Sequence, residues 1–166
     1  GKIYDDGSTS DSGRKYIEVL SDGSIILADK LEQTETDDDI LLIKTNANGE
    51  VNWAKKYGGN NNDECKFLQN AKDGKLIVGG NTNTYGKGDK DGLLFKLDPD
   101  DGNVIWQNTY GETNLDDFHD IETYETGYIA VGSSWSFGNG TTADAYIVKI
   151  NENGGGFTDC FTEDIS

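Results

Sequence analysis

Short apolar segments alternate with polar stretches rich in Gly, Asn and Asp along the whole chain. Two of the clearest are LLFKL at residues 93–97 and YIVKI at residues 146–150, each bounded by polar residues. They are rich in β-branched, aromatic and other large apolar residues, which is typical of β-strands. No segment has the 3.6-residue apolar period of an amphipathic helix. The pattern therefore predicts an all-β chain.

This strand pattern occurs three times. Residues 91–111 (DGLLFKLDPDDGNVIWQNTYG) have counterparts at residues 39–58 and 144–157, and Asp39, Asp91 and Asp144 mark the register (91 − 39 = 52 and 144 − 91 = 53). Each copy holds four short strand candidates joined by turns, the pattern of a β-propeller blade. The sequence predicts one domain, residues 1–166, of three four-stranded antiparallel, blade-like repeats of about 52 residues. Their approximate boundaries are 8–59, 60–112 and 113–166.

Three repeats are too few for a closed propeller, which typically has about four to eight blades. An arc of three would expose apolar faces and at least one sheet edge. We therefore expect a partial propeller, completed by a second copy, by further blades of a longer chain or by open stacking. Residues 2–4 (KIY) and 157–161 both match the fourth strand of a repeat, so either could complete a sheet in a neighbouring subunit. Such a contact would give a ring or a filament.

The charge balance limits the classes of partner. With 14 basic and 31 acidic residues, the net charge is −17 and the pI is near 4.2. An acidic surface repels nucleic-acid phosphates and anionic lipids, so no nucleic-acid partner is expected. There is also no run of about 18 apolar residues, and no membrane span is expected. High acidity favours solubility in a salty or extracellular setting, and we expect an extracellular or cell-surface protein.

Some of the carboxylates are candidate calcium ligands, and calcium is the one possible cofactor. The densest clusters contain Asp37, Asp38 and Asp39, and Asp89 with Asp91. Oxygen-rich loops bind Ca²⁺, although neither cluster has the ligand spacing of an EF-hand loop. The alternative favoured by the repeat is structural: an Asp that recurs before a strand accepts backbone N–H hydrogen bonds at a turn.

The aromatic residues fall into two groups. Trp53, Trp106 and Phe157 recur in step with the repeat, which predicts packing between neighbouring blades rather than ligand binding. Trp135 and Phe137 fall outside this pattern, in a polar stretch that predicts a loop. They are candidate ligand or partner contacts, with packing as the alternative.

The remaining reactive groups give no catalytic set. Cys65 and Cys160 form one disulfide or remain two thiols, and the sequence leaves both open. Asn139 begins an Asn-Gly-Thr sequon, a possible N-glycosylation site. His119 is the only histidine and aligns with Lys66, which predicts a surface position. No Ser-His-Asp set or phosphate-binding loop can be assembled, so we do not expect an enzyme.

One stretch resembles a known family. Residues 58–82 (GGNNNDECKFLQNAKDGKLIVGGNT), followed by DGLLFKLD and GNVIWQNTYG, resemble the SBBP-type β-propeller repeats of secreted and surface proteins of bacteria and archaea. DPDDGNVIW at residues 98–106 is similar to the tryptophan-docking motif of PQQ-type quinoprotein propellers, although their quinone-contacting residues have no counterparts here. The resemblance implies a propeller fold in an extracellular protein but no particular activity.

Two functions are consistent with these observations. The first is a non-enzymatic structural or assembly module that self-associates through its open ends, as a filament or a ring. The alternative is a ligand-binding propeller that recognises a glycan or a protein through rim loops, predicted at residues 31–38, 82–90 and 134–143.

Overall fold

The fold is all-β, as the sequence predicts. A computed structural model describes residues 15–34, 37–138 and 141–157, and these contain no helix, hence none that could span a membrane. The described strands are β1 (Tyr16–Val19), β2 (Ile25–Thr34), β3 (Asp37–Thr45), β4 (Val51–Tyr57), β5 (Asp63–Asn70), β6 (Leu76–Thr82), β7 (Asp91–Leu97), β8 (Val104–Tyr110), β9 (Asp116–Tyr124), β10 (Gly127–Ser134), β11 (Asp144–Asn151) and β12 (Gly156–Phe157).

The strands form three antiparallel sheets, one for each copy of the repeat. The first sheet is β1-β2-β3-β4, the second is β5-β6-β7-β8, and the third is β9-β10-β11-β12. Within each sheet, strands that are consecutive in sequence pair with one another, so each sheet is a meander that is completed locally. In the second sheet the β6–β7 register runs without interruption from Leu76 opposite Leu97 to Thr82 opposite Asp91.

Asp-Gly turns set the hairpin between the first two strands of the first and second sheets. Gly23 and Gly74 have φ values of 80° and 76°, a left-handed conformation that glycine adopts without a Cβ clash. The carboxylates of Asp22 and Asp73 accept hydrogen bonds from backbone N–H groups two residues further on, at 2.9 and 3.1 Å. The local sequence therefore specifies these turns without help from the core.

The sheets pack face to face through two apolar cores. The first core joins the first two sheets and includes Ile26, Leu42, Val78 and Phe95. The second joins the second and third sheets and includes the residues Ile77, Leu94, Phe118, Tyr128 and Val148. Because the second sheet lies in both cores, every residue of β6 and β7 is buried.

The prediction of a rim loop at residues 31–38 is wrong. The strand β2 continues to Thr34 and β3 begins at Asp37, with Glu32 opposite Asp38 in the ladder. Lys30 Nζ lies 2.6 Å from Glu32 Oε1 and 3.3 Å from Asp38 Oδ2. These residues are polar because the hairpin extends beyond the apolar core, and ion pairing across and along its strands favours their pairing.

Truncating Leu94 should destabilise the fold. Its side chain is completely buried between the second and third sheets, so Leu94→Ala leaves a cavity and should lower the free energy of unfolding by about 2–5 kcal/mol. The control Ile105→Ala removes methyl groups from a residue that is 52% exposed and should change it by less than about 0.5 kcal/mol. Urea unfolding of dilute protein measures both, and equal losses would contradict the described core.

Candidate functional site

The first sheet has one apolar face that no other described residue covers. Ile17 lies opposite Leu27, which lies opposite Ile43, so the three side chains form a row across β1, β2 and β3. Val19 and Ile25 form the next row. Ile17 is 61% exposed and Val19 is 60% exposed, and the other three are half-buried. We call these five residues the first-sheet end face.

The third sheet has a corresponding open face on its far side. Val131 lies opposite Ile147, and Ile129 lies opposite Lys149. Ile147 is 54% exposed and Val131 is 39% exposed, whereas their neighbours Ala130 and Val148 point into the second core. We call Ile129, Val131, Ile147 and Lys149 the third-sheet end face.

The strand registers show that this face repeats a buried one. Leu42, Leu94 and Ile147 occupy the same place in their sheets, opposite Ala28, Gly79 and Val131 respectively. Leu42 and Leu94 are completely buried against the sheet that follows, while Ile147 is mostly exposed. The same position of the repeat is thus buried wherever a further sheet is present to cover it.

The lysine on the third strand of each sheet is likewise buried where a further sheet follows. Lys44 and Lys96 are 8% and 5% exposed. Lys44 Nζ lies 3.6 Å from an Asp100 carboxylate oxygen of the second sheet, and Lys96 Nζ lies 5.7 Å from the ring centre of Tyr128 in the third. Lys149 has the equivalent place in the third sheet and is exposed. Each lysine that has a following sheet therefore contacts it.

A tryptophan on the fourth strand links each of the first two sheets to the next. Trp53 Nε1 donates a hydrogen bond to the carbonyl oxygen of Pro99, on the β7–β8 turn (3.1 Å). Trp106 Nε1 donates to the carbonyl oxygen of Glu152, on the β11–β12 turn (3.0 Å). Both indole rings also pack against the cores. These two contacts join consecutive sheets in the same way.

A tyrosine four residues further on completes the link. Tyr57 OH donates to the Gly102 carbonyl oxygen (2.6 Å), and Tyr110 OH donates to that of Gly154 (2.8 Å). Burial raises the pKa of both phenols to about 12, so they remain protonated donors at neutral pH. We call each Trp–Tyr pair with its accepting turn a clasp.

The structure separates the two aromatic residues proposed as ligand contacts. Trp135 is 40% exposed, on the loop after β10. Phe137 is half-buried and packs against the second core, with its ring centre 5.3 Å from that of Tyr146. Trp135 is therefore available to a partner, whereas Phe137 contributes to packing.

The two groups of aspartates proposed as calcium ligands are each divided between buried and more exposed positions. Asp89 is exposed, Asp37 and Asp38 are half-buried on β3, and Asp39 and Asp91 are buried at the start of β3 and β7. Asp39 Oδ2 lies 2.9 Å from Lys56 Nζ. Within residues 15–34, 37–138 and 141–157, no three or more His, Cys, Asp or Glu side chains are grouped as metal ligands.

The predicted disulfide and glycosylation site include residues outside the described structure. Cys65 is a buried thiol whose pKa is raised to about 12 by burial, and its Sγ lies 3.4 Å from the Phe67 carbonyl oxygen. Cys160 and Asn139 are outside the described residues, as are residues 1–14, so the disulfide and the glycosylation site stay predictions. Phe157 is described as part of β12 only.

Sequence comparison supplies no relative. No protein-family model and no curated protein matches the chain. Function is therefore inferred from the residues and their geometry.

The lysines and tyrosines that contact the following sheet also recur in the sequence. Lys44, Lys96 and Lys149 recur at the repeat spacing, but a periodic lysine on a strand is typical of a solvent-exposed position. Tyr57 and Tyr110 also recur, four residues after each repeated tryptophan. A periodic polar group next to a periodic aromatic residue is the signal that could have identified the clasps.

Replacing the clasp tryptophan should weaken the link between the second and third sheets. Trp106→Phe removes the N–H that binds the Glu152 carbonyl and should lower the free energy of unfolding by about 1 kcal/mol. Trp135→Phe is the matched control, because Trp135 is 40% exposed and no hydrogen bond of its indole N–H is recorded among the described residues, and should cost less than about 0.5 kcal/mol. Urea unfolding followed by circular dichroism compares the two; a larger loss for Trp135→Phe would contradict the assigned roles.

Proposed function

We propose that the chain is a non-enzymatic assembly module of β-propeller type that self-associates head to tail. In this arrangement the third-sheet end face of one copy packs on the first-sheet end face of the next. The contact would repeat the packing that already joins the sheets within the chain. The observation that carries the proposal is the exposure of Ile147 at a place where Leu42 and Leu94 are buried.

The two end faces have complementary chemistry. Both present β-branched and other aliphatic side chains, as do the faces that meet in the first core. Exposed apolar patches of this kind usually mark protein interfaces. Lys149, as the counterpart of Lys44, would reach the turn at residues 46–49 of the next copy.

The clasps show the direction in which sheets stack within the chain. Each clasp runs from the fourth strand of one sheet to the β-turn of the following sheet. The corresponding turn of the first sheet, at residues 46–49, is accessible to such a donor, since Ala47 and Asn48 are exposed. In the joint between copies the preceding sheet is the third, which has Phe157 at the tryptophan position and Phe161 four residues further on. This joint would therefore rely on aromatic and aliphatic packing, without the N–H and O–H hydrogen bonds of a clasp.

The geometry of the joint decides the form of the assembly. A heterologous contact closes into a ring if its rotation allows and otherwise continues as a filament. Two chains that close would make a six-bladed ring. Further blades of a longer chain would cover the same faces in the same sense.

An extracellular or cell-surface location is part of the proposal. Its support is the net charge of −17 and the resemblance to SBBP-type repeats. A strongly acidic surface keeps a repetitive protein soluble, but it also opposes contact between copies. Added salt should therefore strengthen the association.

Ligand recognition is the second candidate, and one feature favours it. A cleft of about 190 Å³ lies between the first two sheets, lined in part by Tyr57, Tyr85, Lys56 and Gln107. Aromatic rings beside hydrogen-bonding groups are suited to a sugar or a peptide side chain. Specific binding on a glycan array by a monodisperse monomer would favour this function over assembly.

Charges placed on the end faces should prevent assembly. Wild-type protein should form a ring or filament at micromolar concentration, whereas Ile147→Asp and Ile17→Asp should each give monomers, because a buried unpaired carboxylate is costly. Ile105→Asp is the control, since Ile105 is exposed on β8, and should leave assembly intact. Light scattering after size-exclusion chromatography measures the particle mass.

Mixing the two variants tests the direction of the contact. Ile17→Asp retains an intact third-sheet end face and Ile147→Asp an intact first-sheet end face, so an equimolar mixture should form dimers and nothing larger. A monomeric wild-type protein, or a mixture that stays monomeric when the wild type assembles, would show that the end faces do not meet head to tail.

A further inference from the structure

Two buried carboxylates meet at the junction between the second and third sheets. Lys90 and Leu115 form an isolated parallel bridge, and the backbone N–H of Asp116 donates to the Lys90 carbonyl oxygen at 2.7 Å. This bridge sets Asp91, at the start of β7, beside Asp116, at the start of β9. The contact between the backbones thus forces two acidic side chains together.

The two carboxylates converge on one glycine. An ideal Cβ built on Gly111 would lie 2.0 Å from Asp91 Oδ1 and 2.6 Å from Asp116 Oδ2. The two oxygens are therefore no farther apart than the sum of these distances, which is close enough for both to bind one ion. Only glycine leaves this space to the carboxylates.

Both side chains are buried, and one oxygen has no partner. Asp91 is 1% exposed and Asp116 is 0% exposed. Asp91 Oδ2 accepts hydrogen bonds from the backbone N–H groups of Lys87 (2.6 Å) and Gly88 (3.3 Å), but Oδ1 has no hydrogen-bond partner within the described structure. A buried carboxylate oxygen without a partner is costly, so it requires a proton or a cation.

Three hydrogen bonds fix the position of the Asp116 carboxylate. Ser134 and Ser136 donate their hydroxyl hydrogens, the latter at 2.6 Å, and the backbone N–H of Glu112 donates at 2.8 Å. All three groups are hydrogen-bond donors, and they hold the Asp116 carboxylate in place beside Asp91.

The first junction has the same pair but neutralises it differently. Asp39 Oδ1 and Asp63 Oδ2 lie 1.8 and 2.8 Å from an ideal Cβ on Gly58. Here Lys56 Nζ lies 2.9 Å from Asp39 Oδ2, whereas Asp39 Oδ1, like Asp91 Oδ1, has no hydrogen-bond partner within the described structure. Lys56 lies opposite Leu41 in the β3–β4 ladder, and its side chain supplies an ammonium group at the first junction.

The second junction lacks that ammonium group. The residue opposite Leu93, and hence the counterpart of Lys56, is Thr109. No lysine, arginine or histidine among the residues that the structure describes forms an ion pair with Asp91 or Asp116. Burial raises the pKa of Asp91; the backbone hydrogen bonds from Lys87 and Gly88 oppose this shift, and the charges of Asp116 and Glu112 add to it.

We propose that Asp91 and Asp116 bind a divalent cation of the Ca²⁺ type between the second and third sheets. Ca²⁺ prefers carboxylate oxygens and completes its shell with backbone carbonyls and water, so two side chains suffice as anchors. The ion would supply at the second junction the positive charge that Lys56 supplies at the first. This site is independent of the proposed assembly.

Thermal unfolding of protein pretreated with EDTA tests the site. At pH 7.5, millimolar CaCl₂ should raise Tm by roughly 5 °C, because an ion that binds only the folded chain stabilises it. Asp91→Asn should raise Tm in EDTA and abolish the response to calcium. Glu125→Gln removes an exposed carboxylate and should keep the full response, which controls for general screening of the acidic surface.

The first junction supplies a second test. Thr109→Lys places an ammonium group where Lys56 stands in the first sheet, and should both raise Tm in EDTA and remove the calcium response. Calorimetric titration with CaCl₂ should show the loss of one binding event in this variant and in Asp91→Asn. Retention of that event in both variants would overturn the assignment.

A proton is the alternative to a cation between Asp91 and Asp116, and the dependence of stability on pH distinguishes them. Because the pKa of Asp91 is raised, cation-free protein should lose stability as pH rises through the range above the usual aspartate pKa. If lowering the pH to about 5 stabilises the protein while CaCl₂ has no effect at pH 7.5, the pair holds a proton and the cation site is refuted.

Discussion

The need to cover sheets that are apolar on both faces governs this structure. Each repeat folds locally into a four-stranded meander, but its sequence is apolar on both faces of the two central strands. Among the described residues only the second sheet meets this requirement, and every residue of β6 and β7 is buried as a result. The first and third sheets each have one such face that no other described residue covers. A repeat unit that cannot bury its own faces gains stability by stacking on neighbours.

The polar contacts between sheets follow from the same stacking. Once two sheets pack, the fourth strand of one lies beside the turn of the next, and the clasp joins a tryptophan and a tyrosine to two carbonyl oxygens. These hydrogen bonds are individually modest, but they are directional, whereas apolar burial is not. The cores thus hold the sheets together, and the clasps fix how they are aligned.

The fold could be predicted because its signals are local and repeated. Strand composition, Asp-Gly turns and a constant register specify each meander, and the repeat of Trp53 and Trp106 indicates contact between sheets. The loop prediction at residues 31–38 is wrong because a polar segment is not necessarily irregular. Ion pairs around Lys30 stabilise paired strands there, outside the apolar core. The carboxylate pair Asp91–Asp116 could not be predicted, because it depends on the approach of two backbones from different repeats, which no local pattern encodes.

The junctions also show how a repeat can vary in charge while its fold is kept. Both bring two aspartates together around a glycine, since the strand starts of consecutive sheets meet there. The position facing the pair is a lysine at one junction and a threonine at the other. A single residue on the fourth strand therefore decides whether the junction carries its own counter-charge. Because the backbone register is set by the cores and turns, this position can change without altering the sheets, and the electrostatic demand of each junction can be met separately.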